Sequence, residues 1–431
     1  MTLDRIKQQP YEDRISLAIA TLMWISYAKR PLSVCELRHA VATQPGLKTI
    51  DDSYLTVPEL ITECCMGLVA LDTEASVIRF THLTVEEFLQ QRRSNLFTDG
   101  SKTITRACLT YLTFDDFSFG PCPTNGEVEK RLSTFPFLGY ASGYWGDHAA
   151  DSFDEDIKGK VLEFATNNTN LAVWSQLEGT REKNWKPRFF GHHGDDEKTW
   201  EGADGLTYEK NLSLLHIAAR FGIQGLVDQS TETFTSNINA ETSKGRTPLM
   251  LAAKFAHEPF VRTLYSYDTL EANKINDEGE TALILAIKFG STSVIETLMK
   301  RSSVDINLGS PLVFAIEEGD QDTVYRLLSD SRLDVNSTTI YGGTPLCQSM
   351  LDFQFDVFTA LLNQPDLQPF SESALARLSF TLKIELEDQD FMSNREFHDF
   401  QKMLVMLLQI QRREGTPSHF NMSQMALRSV Q

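Results

Sequence analysis

Several constellations are missing from this chain, and each absence removes a class of function. There is no Cys-x-x-Cys pair, no Gly-x-Ser-x-Gly elbow, no His-Glu-x-x-His and no Gly-x4-Gly-Lys-Ser/Thr loop. A dithiol redox site, a serine-hydrolase nucleophile, a zinc-peptidase pair and a backbone cradle for nucleotide phosphates therefore have no local signature. The one Gly-Lys pair followed by an aliphatic residue, Gly159-Lys160-Val161, lacks the upstream glycine and sits in a helical pattern. Lys and Arg never run longer than a pair, and the net charge is −19. Nucleic-acid binders need a basic face to displace counterions, so nucleic acid is not an expected partner. The longest apolar stretch, Ile15 to Ala28, is 14 residues. That is short of the roughly 20 that span a bilayer, so no membrane partner is expected. The six cysteines (Cys35, Cys64, Cys65, Cys108, Cys122, Cys347) show no framework and fit a reducing compartment, cytosolic or nuclear. Cys64-Cys65 reads as a packed pair of small hydrophobes.

What is present is a recurring phrase. It appears as Ser213-Leu214-Leu215-His216, Thr247-Pro248-Leu249-Met250, Thr281-Ala282-Leu283-Ile284, Ser310-Pro311-Leu312-Val313 and Thr344-Pro345-Leu346-Cys347, at steps of 34, 34, 29 and 34 residues. Self-similarity at this period marks a stacked array of helical hairpins. In each unit the Ser or Thr hydroxyl caps the first helix. Pro248, Pro311 and Pro345 stand where a missing N–H does no harm. The leucines point into the stack, and Gly222, Gly290 and Gly319 turn the chain between helices with positive φ. Asn239, Asn276, Asn307 and Asn336 close the units. The period and wording resemble the ankyrin repeat, over residues 209–368 in about five units.

That resemblance implies a protein partner, held by the turn tips and the exposed face of the first helices. The residues it singles out are Lys244, Arg246, Lys254, Glu278, Glu280, Lys288, Tyr341, Gln348 and Asp352. The array departs from its pattern in two places. The 29-residue step leaves only Leu308 and Gly309 between Asn307 and Ser310, with no room for a projecting hairpin, so a notch is expected there. The first unit has Ser213-Leu214 in place of Thr-Pro, as expected of an end unit with one bare side. A helix over about Arg395 to Gln411, with Phe397, Phe400, Met403, Leu404, Leu407 and Leu408 on one face, is expected to lid the other end.

Ahead of the repeats, residues 1–95 carry a helix over Ile15–Tyr27. A second helix has Ser33 and Glu36 at capping-box spacing, and a third runs over about Val57–Met66. A hairpin of Leu68–Leu71 and Val77–Phe80 follows, then a helix from Val85 capped by Thr84. Three helices and a hairpin is the order of a winged helix. Its third helix carries Glu59 and Glu63, which argues against DNA. Residues 96–182 read as a helical domain, with stripes over Arg106–Phe114 and Ile157–Gln176. Its aromatic segment Phe135–Trp145 is expected to bury against the front region. Residues 183–208 are linker-like, and 369–431 form the terminal cap and tail. The expected fold class is mainly α: a winged-helix and helical domain followed by a repeat solenoid.

Four segments resemble fungal NACHT–ankyrin proteins, NLR-like signalling NTPases. They are Arg30-Pro31-Leu32-Ser33-Val34-Cys35-Glu36-Leu37, Cys65-Met66-Gly67-Leu68-Val69, Phe80-Thr81-His82-Leu83-Thr84-Val85-Glu86-Glu87-Phe88-Leu89, and Tyr140-Ala141-Ser142-Gly143-Tyr144-Trp145-Gly146-Asp147-His148-Ala149. The resemblance spans about residues 10–180. It implies a P-loop domain ahead of the winged helix, and this sequence has no such loop. The implied object is the back portion of such a receptor: a truncated relative, a split gene or an incomplete gene model. In those relatives a winged-helix histidine touches the nucleotide phosphate. His82 matches by position and is the candidate vestigial sensor, weighed against a structural role near a strand end. His192-His193 beside Asp195-Asp196-Glu197 reads as solvated linker, and His148 as a packed histidine.

The reading taken from the sequence is a non-catalytic interaction scaffold, with no catalytic residue, metal or cofactor assigned and the oligomeric state open. The alternative is the regulatory half of a split signalling NTPase acting with a separately encoded P-loop subunit.

Overall fold

In the computed structural model the described residues are 2–183, 208–227, 232–339, 342–368 and a few positions between 398 and 406. They are mainly helical and form two compact units, Met1–Asn237 with Glu241–Ser243, and Ile238–Ala240 with Lys244 onward.

The first unit opens with α1 (Thr2–Lys7), α2 (Glu12–Tyr27), α3 (Val34–Ala42) and α4 (Pro58–Cys64). The hairpin β1 (Val69–Asp72) and β2 (Val77–Phe80) is antiparallel, with Val69 opposite Phe80 and Asp72 opposite Val77. Ser33 bridges to Val77, so the segment before α3 adds a third edge to the wing. α3 starts where the capping box places it. Ser33 Oγ accepts from the Glu36 N–H (3.2 Å) and the Glu36 carboxylate accepts from the Ser33 N–H (2.8 Å). α5 (Leu83–Leu96) begins earlier than expected, because His82 rather than Thr84 caps it. Cys64 and Cys65 are buried, and burial pushes the Cys65 thiol up to about 12, so both pack as small hydrophobes.

Five helices follow: α6 (Gly100–Leu112), α7 (Asn125–Thr134), α8 (Leu138–Asp151), α9 (Glu155–Ala165) and α10 (Asn168–Lys183). The stripe over 157–176 is two helices, not one. Asn167 breaks it by turning its carboxamide oxygen onto the N–H groups of Thr169 (3.0 Å) and Asn170 (3.1 Å), a local bond that competes with helix continuation. The aromatic segment buries as expected. Phe137 and Tyr140 meet Trp24 of α2 at ring-centroid distances of 5.3 and 6.2 Å. Two tyrosine–histidine pairs are sealed in this core: Tyr111 with His39 and Tyr140 with His148, each at 2.8 Å. Burial, and then the nearby Lys29, hold His148 neutral with its pKa pushed down to about 3.

The first repeat, α11 (Leu214–Phe221) and α12 (Glu232–Asn237), belongs to this unit. Its outer side is not bare. Phe221 lies 4.8 Å from Trp145 and 6.0 Å from Trp174, and Arg220 pairs with Glu178. Gly146 makes the approach feasible, since a Cβ there would overlap the Phe221 ring. The end unit departs from its pattern because the helical domain supplies its missing neighbour.

The second unit stacks α13 (Pro248–Lys254) and α14 (Glu258–Leu264), α15 (Ala282–Lys288) and α16 (Thr292–Met299), α17 (Pro311–Glu317) and α18 (Gln321–Leu328), and α19 (Pro345–Leu351) and α20 (Phe355–Leu362). Each first helix packs on the next. Thr247, Thr281 and Thr344 cap as expected. Ser310 does not. It takes a left-handed conformation (φ 60°) and is fully buried, with its hydroxyl 3.1 Å from the Ser337 carbonyl and 3.0 Å from the Ser337 hydroxyl. The short step thus replaces a hairpin with one tight turn, and the next repeat closes over it. At the inter-helix turn the positive φ of Gly222, Gly290 and Gly319 is shared by Ala256 (φ 60°) and Phe353 (φ 53°).

The closing asparagines need one correction. Asn273, not Asn276, is in register with Asn239, Asn307 and Asn336. Each donates its carboxamide to a carbonyl of the following repeat and accepts an N–H two residues further on. For Asn307 these are the Arg332 carbonyl (2.8 Å) and the Asp334 N–H (2.7 Å). Asn276 instead shapes a projecting turn. The expected tail helix lies mostly outside the described residues. Within it Met403 is buried, and Lys402 Nζ stands 5.2 Å from the Phe355 ring.

Candidate protein-binding face

In the second unit the turn ahead of a first helix and that helix's C-terminal end share one side, as the pairing of Glu280, ahead of α15, with Lys288 at its end shows. That side is where the sequence placed the partner contacts. The structure divides those residues into two groups.

Arg246, Lys254 and Glu280 are buried, against the exposed placement expected of them. The reason is pairing across the turn and between repeats. Asn276 holds the turn by accepting the N–H groups of Glu278 (3.0 Å) and Glu280 (2.8 Å) and donating to the Glu280 carboxylate (2.9 Å). The other carboxylate oxygen of Glu280 takes the Lys288 ammonium at 2.5 Å. Burial works to raise the Glu280 pKa, but the bonds from Lys288 and Asn276 and the nearby Arg246 outweigh it and hold the group ionised. Burial likewise works to lower the Lys288 pKa, and its bond to Glu280 raises it on balance. Charges this far from water persist only when paired.

Lys254 is used between repeats. Its ammonium stands 5.5 Å from the Phe255 ring and 4.9 Å from the Phe289 ring of the next repeat. Lys288 repeats the arrangement at 5.6 Å from Phe314. Lys244 is half-buried, and its carbonyl receives the Asp277 N–H (3.1 Å).

The second group reaches solvent. Glu278 is exposed at a turn tip, with one carboxylate oxygen 3.5 Å from Arg246 Nη2. Gln348 and Asp352 are half-buried on the last repeat and joined by a 2.9 Å bond. Tyr341 lies outside the described residues. The sequence reading overlooked Phe255, Phe289 and Phe314, half-exposed aromatics that alternate with the lysines along this side. Phe255 and Phe289 directly follow their first helices, whereas Phe314 lies in the middle of α17, so no common register position marked the three in the sequence. Glu317 and Glu318 follow on α17 and the residue after it. Burial, and then Glu317, raise the Glu318 pKa.

His82 is exposed. Its Nδ1 accepts the Thr84 N–H (3.2 Å) and lies 2.9 Å from the Thr84 hydroxyl. The histidine therefore caps α5. His192 and His193 are outside the described residues. His148 packs in the core as expected. Among the described residues no cluster of His, Cys, Asp or Glu has the arrangement of a metal site, and no helix is long and apolar enough to cross a membrane.

Two family models match parts of the chain and agree with this architecture. A model of three ankyrin repeats matches residues 215–310, and a model described as the winged-helix domain of GPI inositol-deacylase matches residues 12–100. No curated protein matches the chain. The crystal structure of the human ASB11 ankyrin repeat domain is similar at 20% identity, covering 39% of this chain and 84% of that one, with a TM-score of 0.30. The chain is thus a mainly helical protein that carries a winged-helix domain followed by ankyrin repeats.

Proposed function

We propose that the protein is a non-catalytic scaffold that holds a protein partner on the turn-and-first-helix side of its repeats. The observation that supports this most directly is the fixed row of Phe255, Phe289 and Phe314. Half-exposed aromatics are strong anchors when their positions are set before binding, because little ordering remains to be done. Lysines from the same and the preceding repeat clamp this row, and the buried Glu280, paired with the half-buried Lys288, holds the turn beside it. Glu278, Gln348 and Asp352 then form a polar rim.

The order of winged helix, helical domain and repeats supports a finer reading, in which the chain corresponds to the sensing portion of an NLR-like receptor. On that reading the front unit docks on another protein or restrains the repeats until a ligand arrives.

The test is affinity capture from the source cells with the full chain, beside a variant carrying Glu278→Arg, Gln348→Arg and Asp352→Arg. A protein retained by the parent and lost by the variant, at unchanged melting temperature, is the expected result. Retention of nothing above background, or of the same proteins by both, refutes the proposal.

A further inference from the structure

A second surface stands out in the front unit. Phe119 is 94% exposed, in the short loop between the turn at Asp115–Phe117 and α7. A phenylalanine at a floppy tip would need no explanation, but this loop is bolted down. Gln176, itself buried on α10, clamps the Cys122 backbone from both sides, accepting its N–H and donating to its carbonyl at 2.8 Å each. Arg131 Nη2 donates to the Gly120 carbonyl at 3.0 Å. Gly120 has φ +85°, and its N–H returns to Phe117 O (2.9 Å). Pro121 and Pro123 fix φ on either side of Cys122. The ring is therefore presented to solvent by a rigid frame.

Beside it lies a cavity of about 370 Å³, walled by Phe119, Pro121, Pro123 and Phe135. Its charged lining is Glu127, Lys130 and Arg131. Glu127 is engaged: its carboxylate accepts the Thr124 N–H (3.2 Å) in the capping box that starts α7. Lys130 is exposed. Arg131 lies over the Phe117 ring at 5.5 Å, and its Nη1 is buried with no hydrogen-bond acceptor. Asp115 and Asp116 do not line the cavity. Lys130 and Arg131 against Glu127 leave the lining with one net positive charge, on a chain of net charge −19. A basic segment would be drawn to the rest of the surface and repelled here, so the sign of this groove selects its ligand.

We infer that this groove docks an acidic, aromatic-bearing extended segment of a protein partner. The partner's aromatic or large aliphatic side chain stacks on Phe119 and the prolines. An adjacent carboxylate takes the Lys130 ammonium, with the Arg131 charge beside it. This interaction does not depend on the function proposed for the repeats.

The test uses the full chain and three fluorescein-labelled synthetic peptides read by anisotropy. One is Gly-Asp-Glu-Trp-Leu-Asp-Gly, one has Trp and Leu replaced by Ala, and one has its acidic residues replaced by Lys. The acidic-aromatic peptide should bind at least tenfold more tightly than either of the others. Phe119→Ala and Lys130→Glu, both at exposed positions and so harmless to folding, should each weaken it tenfold or more. Higher salt should weaken it further. No binding of the first peptide, equal binding of all three, or indifference to both substitutions overturns the inference. Sedimentation showing a dimer that Phe119→Ala dissolves would overturn it in favour of a second copy of this chain as occupant.

Discussion

Replacing Gly146 by alanine should destabilise the protein, and removing Phe221 should reverse the sign. Gly146 lies inside α8, where alanine is ordinarily better than glycine by about 1 kcal/mol. Here the added methyl would fall inside the Phe221 ring. That ring has little freedom to swing aside: it is buried, with Trp145 at 4.8 Å and Trp174 at 6.0 Å. Overpacking of this kind costs about 1–3 kcal/mol, so the expected net loss is up to about 2 kcal/mol. Phe221→Ala alone should cost about 3–5 kcal/mol through the cavity it leaves. In that background the methyl enters empty space, and Gly146→Ala should stabilise by about 1 kcal/mol. The assay is urea denaturation followed by tryptophan fluorescence. All five tryptophans precede Asn237, and Trp24, Trp145 and Trp174 are buried in the first unit, so the signal follows that unit and not the repeats after it. Gly146→Ala stabilising equally in both backgrounds would refute the argument that the first repeat is wedged onto α8.

Two further outcomes follow from the geometry. Ala256 is exposed and left-handed, which costs a non-glycine residue about 1–2 kcal/mol. Ala256→Gly should therefore stabilise the repeats by up to about 1 kcal/mol despite the entropy of glycine; circular dichroism melts of the full chain check this, and a lowered midpoint would refute it. His148 must stay neutral while buried, so its contribution to stability is complete above its unfolded pKa of about 6.5 and is lost as pH falls from there toward about 3. At pH 5 the loss should be about 2 kcal/mol. Tryptophan-detected denaturation at pH 7.5 and pH 5 measures it, and His148→Gln should flatten the difference; an unchanged slope in that variant would assign the acid sensitivity elsewhere.

The repeat architecture was legible because stacking forces like residues into like places. The Thr-Pro-Leu phrase, its caps and the positive-φ glycines follow directly from that constraint. Neighbours were harder to read. Lys254 and Lys288 carry charge and so looked solvent-facing. Their partners Phe289, Phe314 and Glu280 are supplied by the adjacent repeat or the adjacent turn, which the local string does not connect. Asn276 was mistaken for Asn273 because both sit near a turn, and only register with the following repeat separates them. Thr84 and His82 show the same difficulty at a helix start, where two residues can each offer an acceptor. Ser310 kept the letter of the motif and lost its role, because five fewer residues reach it from the preceding asparagine than in the other units.

That shortened link has a consequence for how such a molecule could be altered. Asn307 keeps both of its bonds, at 2.8 and 2.7 Å, although the loop that follows it is truncated. The rear seam therefore sets the rise from one module to the next without consulting the length of the front loops. Those loops can be trimmed, extended or rewritten one at a time, and recognition can be re-specified while the spine that spaces the modules is left untouched.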